Sequence, residues 1–200
     1  MIEIVLASRN KNKAKEIKQI LKGHSIKVLT VDNFPNMPEV KETALTFHGN
    51  AKKKAIKIAK FTGDLTIADD SGLEVEALGG LPGVRSARFA GPGCTYADNN
   101  KKLLSMLDRI PMHKRKARFI CTIAVADKKG IVGTALGTCS GHIGFSVRGK
   151  YGFGYDPVFI VPKYKKTFAQ LGPKIKNKIS HRAKALRRAK KIIQTYLQKA

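Results

Sequence analysis

The sequence predicts an α/β fold, one mixed sheet with helices packed on both faces. Three observations carry that prediction. The chain opens with an apolar run, a polar turn and a helical pattern, which is a strand–loop–helix unit. Strand-like and helix-like segments then alternate along 200 residues, a length that fits a single domain spanning 1–200. Late in the chain two strand patterns flank a tight turn, and a hairpin is incompatible with an all-parallel sheet.

Ile2 to Ala7 reads as a buried first strand, and Ser8-Arg9-Asn10-Lys11-Asn12-Lys13 as the turn after it. Ala14, Ile17, Ile20 and Leu21 recur at helical spacing, and Lys22-Gly23 is a helix stop. Ile26 to Thr30 reads as a second strand, and Asn33 to Pro38, with two prolines, as a loop. Phe47, Ala51, Ala55 and Ile58 share one helical face, while Asn50, Lys54 and Lys57 share another. Leu65 to Ala68 is a strand ending in Asp69-Asp70, and a glycine-rich loop region follows. Leu103, Leu104, Leu107 and Ile110 mark a further helix. Phe119, Cys121, Ile123 and Val125 alternate as a half-buried strand, Lys128-Lys129-Gly130 is the hairpin turn, and Ile131 to Cys139 returns. Ser180 is a candidate N-cap for a long amphipathic C-terminal helix through Ala183, Leu186, Ala189, Ile193 and Leu197.

Composition narrows the function classes. Hydrophobic residues make up 42% of the chain, enough for a full core. Lys and Arg number 39 against 14 Asp and Glu, a formal net charge of +25. Such a field attracts polyanions: nucleic acid, an anionic membrane surface, or a triphosphate. The cations are mostly lysines spread along the chain, with no continuous basic arm and no nucleic-acid motif, so specific nucleic-acid binding is not expected. No apolar run approaches the ~20 residues that span a bilayer. Cys94, Cys121 and Cys139 match neither a zinc spacing nor a disulfide framework. A soluble, cytoplasmic protein is expected.

Several clusters could carry chemistry, each with a plain structural alternative. Ser8, Asn10 and Lys13 place a hydroxyl, an amide and an ammonium at a helix N-terminus, a natural anion site, although Asn10 could simply cap the helix. The turn lacks the glycine pattern of a P-loop. Asp69-Asp70 puts two carboxylates where open α/β sheets hold ligands. Successive strand side chains alternate, so one can face a ligand while the other holds a loop, and hard oxygens suit Mg²⁺. Glu39 or Glu42 could complete a metal site. Asn50 and Lys54 could face phosphates or belong to a solvated lysine face. Phe153-Gly154-Tyr155-Asp156 offers an aromatic face and a polar edge for a base, or a glycine turn with core aromatics. His181 and Arg182 at a helix start run against the helix dipole, which points to function, and Lys176 adds a donor.

Taken in order, SRNKNK, PEVKETALTFHGNAKKKA, IADDSGLEVEALGGLPGVRSARFAG, FGYDPVF and ISHRAKAL resemble the inosine triphosphate pyrophosphatase family, from about Glu3 to Leu186. The resemblance implies a two-lobed α/β protein with a long bent mixed sheet, a cleft between lobes, a homodimer and Mg²⁺ dependence. The implied reaction converts ITP, dITP or XTP and water into the nucleoside monophosphate and pyrophosphate. It assigns Ser8, Arg9, Asn10, Lys11, Asn12, Lys13 and Lys54 to the substrate, chiefly its triphosphate. Asp70 would be general base and metal ligand, Glu39 the second ligand with Glu42 as fallback, and Ser71 a substrate contact. Phe153 would stack on the base, with Gly154, Tyr155 and Asp156 shaping its pocket. Lys176, His181 and Arg182 would read the purine. Arg9 stands where the family often has Gly, Arg85 where Tyr is frequent, and Lys41 where a second acid is common. A related enzyme for other damaged nucleotides, a nucleic-acid-binding protein and a silent nucleotide binder are the competing readings.

Overall fold

The protein is described by a computed structural model covering residues 2–23 and 26–199. A seven-stranded sheet runs in the order β2-β1-β3-β4-β5-β6-β7. Its strands are β1 (Ile2–Leu6), β2 (Ile26–Leu29), β3 (Thr66–Val75), β4 (Lys116–Asp127), β5 (Gly130–Ile143), β6 (Phe159–Val161) and β7 (Lys166–Thr167). β1 pairs in parallel with β2 and β3, whereas β6 is antiparallel to both β5 and β7, so the sheet is mixed. The helices are α1 (Lys11–Leu21), α2 (Phe47–Thr62), α3 (Tyr96–Met106), α4 (Phe168–Ile179) and α5 (His181–Leu197). Among the described residues no helix is long and apolar enough to cross a membrane.

The chain folds into two compact units. The first holds the residues up to Asp70, Cys121–Gly137 and the chain from His181 onward; the second holds Ser71–Ile120 and Thr138–Ser180.

In the first unit the strands are covered on both faces, and residue parity decides which face each side chain serves. Ile4, Leu6, Ile67, Cys121, Ile123 and Val125 pack with Ile17 and Leu21 of α1 and Leu186, Ala189 and Ile193 of α5. Val5, Ala7, Ala68, Ala124 and Ala126 pack with Ala51, Ala55, Ile58 and Ala59 of α2. Alanines on both partners let α2 lie close to the sheet, and Gly63, in the left-handed region at φ 78°, ends that helix. The second unit is built on aromatic packing: Phe159 stacks on Phe168 with ring centroids 5.3 Å apart, and Phe119 tilts against Phe159 at 4.6 Å.

Several sequence expectations shift. The strand expected to end at Asp69-Asp70 runs on to Val75, so the acidic pair lies in mid-strand. The helix expected around Leu103–Ile110 begins earlier, at Tyr96, because Thr95 and Asp98 form a capping box; Leu107 and Ile110 fall beyond its end. Phe168–Ile179 shows no clean apolar period because it is two helical pieces broken at Gly172 (φ 74°), the second opened by Pro173. Ser180 caps the end of α4 immediately before α5. The hairpin turn forms at the expected residues, where the Asp127 carboxylate accepts the backbone N–H groups of Lys129 and Gly130.

Phe159→Ala should destabilise the fold by about 3–5 kcal/mol, as expected for truncating a fully buried ring among two others. Denaturant unfolding followed by circular dichroism measures it, and a loss under about 1 kcal/mol would show that this aromatic stack is not a core element.

Candidate active site

β3 distributes its two carboxylates by parity. Asp69 shares the face of Ile67, towards α1 and α5; Asp70 shares the face of Ala68, towards α2. Each therefore meets a different set of cations.

Asp69 is fully buried and gathers three elements. Lys13 Nζ of α1 lies 2.6 Å from Oδ1, Arg182 Nε of α5 donates to Oδ2 at 2.9 Å, and Cys121 Sγ of β4 donates to Oδ2 at 3.0 Å. Burial alone would raise this carboxyl's pKa, but Arg182 and Lys13 outweigh it and hold the group well below the usual carboxylate range. Arg182 also pairs through Nη1 with Glu16 of α1 and is 1% exposed. Burial works against its charge, and the two carboxylates more than restore it. The Cys121 thiol is pushed up by burial and by Asp69, so it remains protonated as a donor.

Asp70 is buried on the other face. Lys54 Nζ of α2 donates to Asp70 Oδ1 at 3.0 Å, to the Asp69 carbonyl at 2.8 Å and to the Glu42 carboxylate. Burial raises the Asp70 pKa, Lys54 and Lys13 pull it down, Glu42 pushes it up, and the net direction is upward. Lys54 is shifted upward too: Asp70 and Glu42 outweigh its own desolvation. Asn50, one turn earlier, locks the approach to α2 by accepting from the Ala44 N–H at 2.9 Å and donating to the Ala44 carbonyl at 3.3 Å. It thus braces the loop carrying Glu42 rather than pairing with the carboxylates. Glu39 is exposed, and its carbonyl accepts from Lys57 at 2.9 Å. The structure groups Glu42, not Glu39, with Asp70.

The turn before α1 is ordered by its own side chains. Asn10 caps the helix, accepting from Lys13 N at 3.1 Å, and Ser8 Oγ accepts from Asn10 N at 3.3 Å. Lys11 and Asn12 are exposed on the first helical turn. Arg9 reaches back to the Met37 carbonyl at 2.6 Å and fixes the loop leading to Glu42. A helix N-terminus with two nearby ammonium groups is a place for an anion.

The second unit carries the aromatic cluster. Lys176 pairs with the buried Asp156, and its ammonium lies 4.7 Å from the Phe153 ring centroid. Asp156 Oδ2 also accepts from the Phe153 N–H at 2.9 Å. Tyr155 turns inward and donates its hydroxyl to the Ser86 carbonyl at 2.9 Å, while burial pushes the phenol up. Asn100 of α3 donates to the Gly154 carbonyl at 2.9 Å, and Tyr96 sets its ring 5.9 Å from that of Phe153. Half-buried Ser71 follows Asp70 on β3; buried His181 precedes Arg182 in the first turn of α5.

Sequence reading missed Glu16, Cys121, Asn100 and Tyr96, and the anchoring role of Asp69. Glu16 had one available signal, being the sole acid in an α1 that carries four lysines. The others are joined only by tertiary contacts.

Asp69→Asn should cost about 3–5 kcal/mol, because it breaks a buried ion pair, leaving Arg182 with Glu16 alone and the half-buried Lys13 without its carboxylate. Because the folded pKa is depressed, Asp69 stabilises fully above its ordinary value of 3.8, and that stability is lost as pH falls below it. Thermal melts from pH 6 to 2 should therefore converge for wild type and variant at the acid end; parallel curves would count against the ion network.

A dITP/XTP pyrophosphatase of Desulforamulus reducens is 51% identical over 192 residues, covering 96% of each chain. Another, of Geobacillus kaustophilus, is 47% identical over 186 residues, 93% of this chain and 91% of that one. A solved HAM1 protein from Coxiella burnetii superposes with a TM-score of 0.86 at 41% identity, covering all of both chains. The Staphylococcus aureus Ham1 protein gives 0.82 at 40%, with 98% of each covered. With the Ham1 family model matching residues 4–192 as well, the chain belongs to the Ham1 family.

Proposed function

We propose that this protein hydrolyses nonstandard purine nucleoside triphosphates, ITP, dITP and XTP, to the monophosphate and pyrophosphate. The observation that carries the reading is the pair of mid-strand carboxylates, each neutralised by a lysine from a different helix. It is supported by relatives named dITP/XTP pyrophosphatases at 51% and 47% identity.

A triphosphate brings its own negative charge, so Lys13 and Lys54 would exchange carboxylate partners for phosphate oxygens, with Ser8, Asn10 and the N-terminus of α1 completing the anion site. Asp70 would take a proton from the attacking water. Its oxygen bonds to the α-phosphorus, the α–β bridging P–O bond breaks, and the electron pair leaves with pyrophosphate. The upward shift of Asp70 suits a base, since a carboxyl of ordinary pKa is a weak proton acceptor.

The residues fit Mg²⁺. Glu42 and Asp70 are two hard-oxygen donors already arranged about one cation, the Lys54 ammonium. Among the described residues no group of three or more His, Cys, Asp and Glu side chains could hold a metal, and Mg²⁺ ordinarily completes its shell with water and substrate phosphates. Glu42 and Asp70 would hold it, and when bound it would neutralise charge on the phosphates. Glu42 replaces Glu39 as the second ligand in this proposal.

Phe153 would stack on the purine, with Lys176 and Asp156 fixing its loop. His181 and Arg182 would direct donors to the 6-oxo group, and adenine's 6-amino group would meet donors with a donor, a costly buried mismatch. The same reading carries a homodimeric, cytoplasmic enzyme.

Pyrophosphate release from ITP, dITP, XTP, ATP, GTP and dUTP tests the proposal. Preference for the first three, abolished by chelator and reduced by about 10²–10⁴ in Asp70→Asn, is the expected result for loss of a general base. Preference for dUTP would overturn the purine assignment. Glu42→Gln should raise the Mg²⁺ requirement at least tenfold, while Glu39→Gln should leave it within twofold; the reverse order would return Glu39 to the metal.

A further inference from the structure

Gly133 and Gly137, of the same parity on β5, both lie opposite α5. They serve different purposes. A methyl group at position 133 would fall 2.8 Å from Ile192 Cγ2, the end of a flexible side chain that can turn aside. A methyl group at position 137 would fall 2.1 Å from the His181 carbonyl oxygen and 2.4 Å from the Ala185 backbone nitrogen. Those atoms belong to the first turn of α5 and cannot rotate away, so any side chain at 137 would push that turn off the strand by roughly 1 Å or more, given that nonbonded atoms meet at about 3.5 Å. The contact is tightened by Arg188, whose guanidinium donates to the Leu136 carbonyl.

We infer that Gly137 is a positioning residue for purine discrimination: by letting the α5 backbone touch β5, it sets where His181 and Arg182 stand. The inference rests on the reading that these two residues read the base. Arg182 already has its height along the sheet fixed by Asp69 and Glu16. Gly137 fixes the other coordinate, the distance of the helix start from the strand. Donors that must meet a 6-oxo group tolerate little displacement, and a misplacement of about 1 Å can cost up to about 10²-fold in rate. Gly133, four residues away on the same strand, provides the internal control because its neighbour is a side chain remote from the first turn.

The test compares Gly137→Ala with Gly133→Ala in the full chain, using kcat/KM for ITP and for ATP together with thermal melts. Gly137→Ala should lose at least tenfold in kcat/KM for ITP and narrow the ITP-to-ATP ratio, while retaining a cooperative melt. Gly133→Ala should stay within twofold in both kinetic quantities. Equal behaviour of the two variants, or an equal loss on ITP and ATP, would overturn the proposal. If Gly137→Ala does not fold, amide hydrogen exchange of the wild-type protein decides. Amides at Lys184–Leu186 should be as protected as those of β4, and exchange at the rate of an exposed helix end would overturn the close contact. His181→Ala separates the two ideas: an unchanged ITP-to-ATP ratio there would remove the base-reading assignment, whatever Gly137 does.

Discussion

The buried carboxylate of Asp69 is the constraint on which the first unit depends. A carboxylate with no exposure would be intolerable alone, and here it is matched by Lys13 from α1 and Arg182 from α5. Arg182, equally buried, requires Glu16 as a second partner. The four groups close a charge-balanced set that joins a strand to the beginnings of two helices. Such a set adds little net stability over an apolar core, but it leaves few other ways to dock those helices. What it secures is position: the start of α1 and the first turn of α5 are both referred to one strand.

Asp70 shows the other half of the same device. One residue further along β3, it faces α2, where Lys54 and Glu42 complete a more accessible cluster. The two adjacent acids thus differ in kind. Asp69 is held ionised between two cations, whereas Asp70 has its pKa raised by burial and by Glu42, the direction that the proposed role as base would use. In the second unit a buried pair, Asp156 with Lys176, sets the Phe153 ring in the same manner. The chain has few acids, and those of the site are paired closely with cations. The large surplus of positive charge that remains suits a substrate bearing a triphosphate, whose approach it would speed at low ionic strength.

Much of the fold was legible in the sequence because its signals are local. Apolar spacing placed α1, α2 and α5, alternation placed β4, and the Lys128-Lys129-Gly130 turn placed the hairpin and with it the return strand β5. Where the local signal failed, another local force had won. Thr95 with Asp98 started α3 about two turns before its leucines, and Gly172 with Pro173 broke the period of α4. Of the site, Asp70, Lys13, Lys54, Phe153, Lys176, His181 and Arg182 were singled out by residue type and by ordered motifs. The choice between Glu39 and Glu42 was open, since two acids three residues apart in a loop have no periodicity to separate them.

By itself the sequence determined the longer elements α1, α2, α5, β1, β4 and β5, the parity that turns Asp69 and Asp70 to opposite faces, and the family. Those follow from short-range geometry, in which each residue's direction is set by its neighbours in the chain. Only the tertiary structure decided which cation each carboxylate meets, that Arg182 is buried between Asp69 and Glu16, and that Gly137 must be bare. These are contacts between residues separated by 16 to 166 positions, and the pairing is chosen by packing and charge balance in three dimensions.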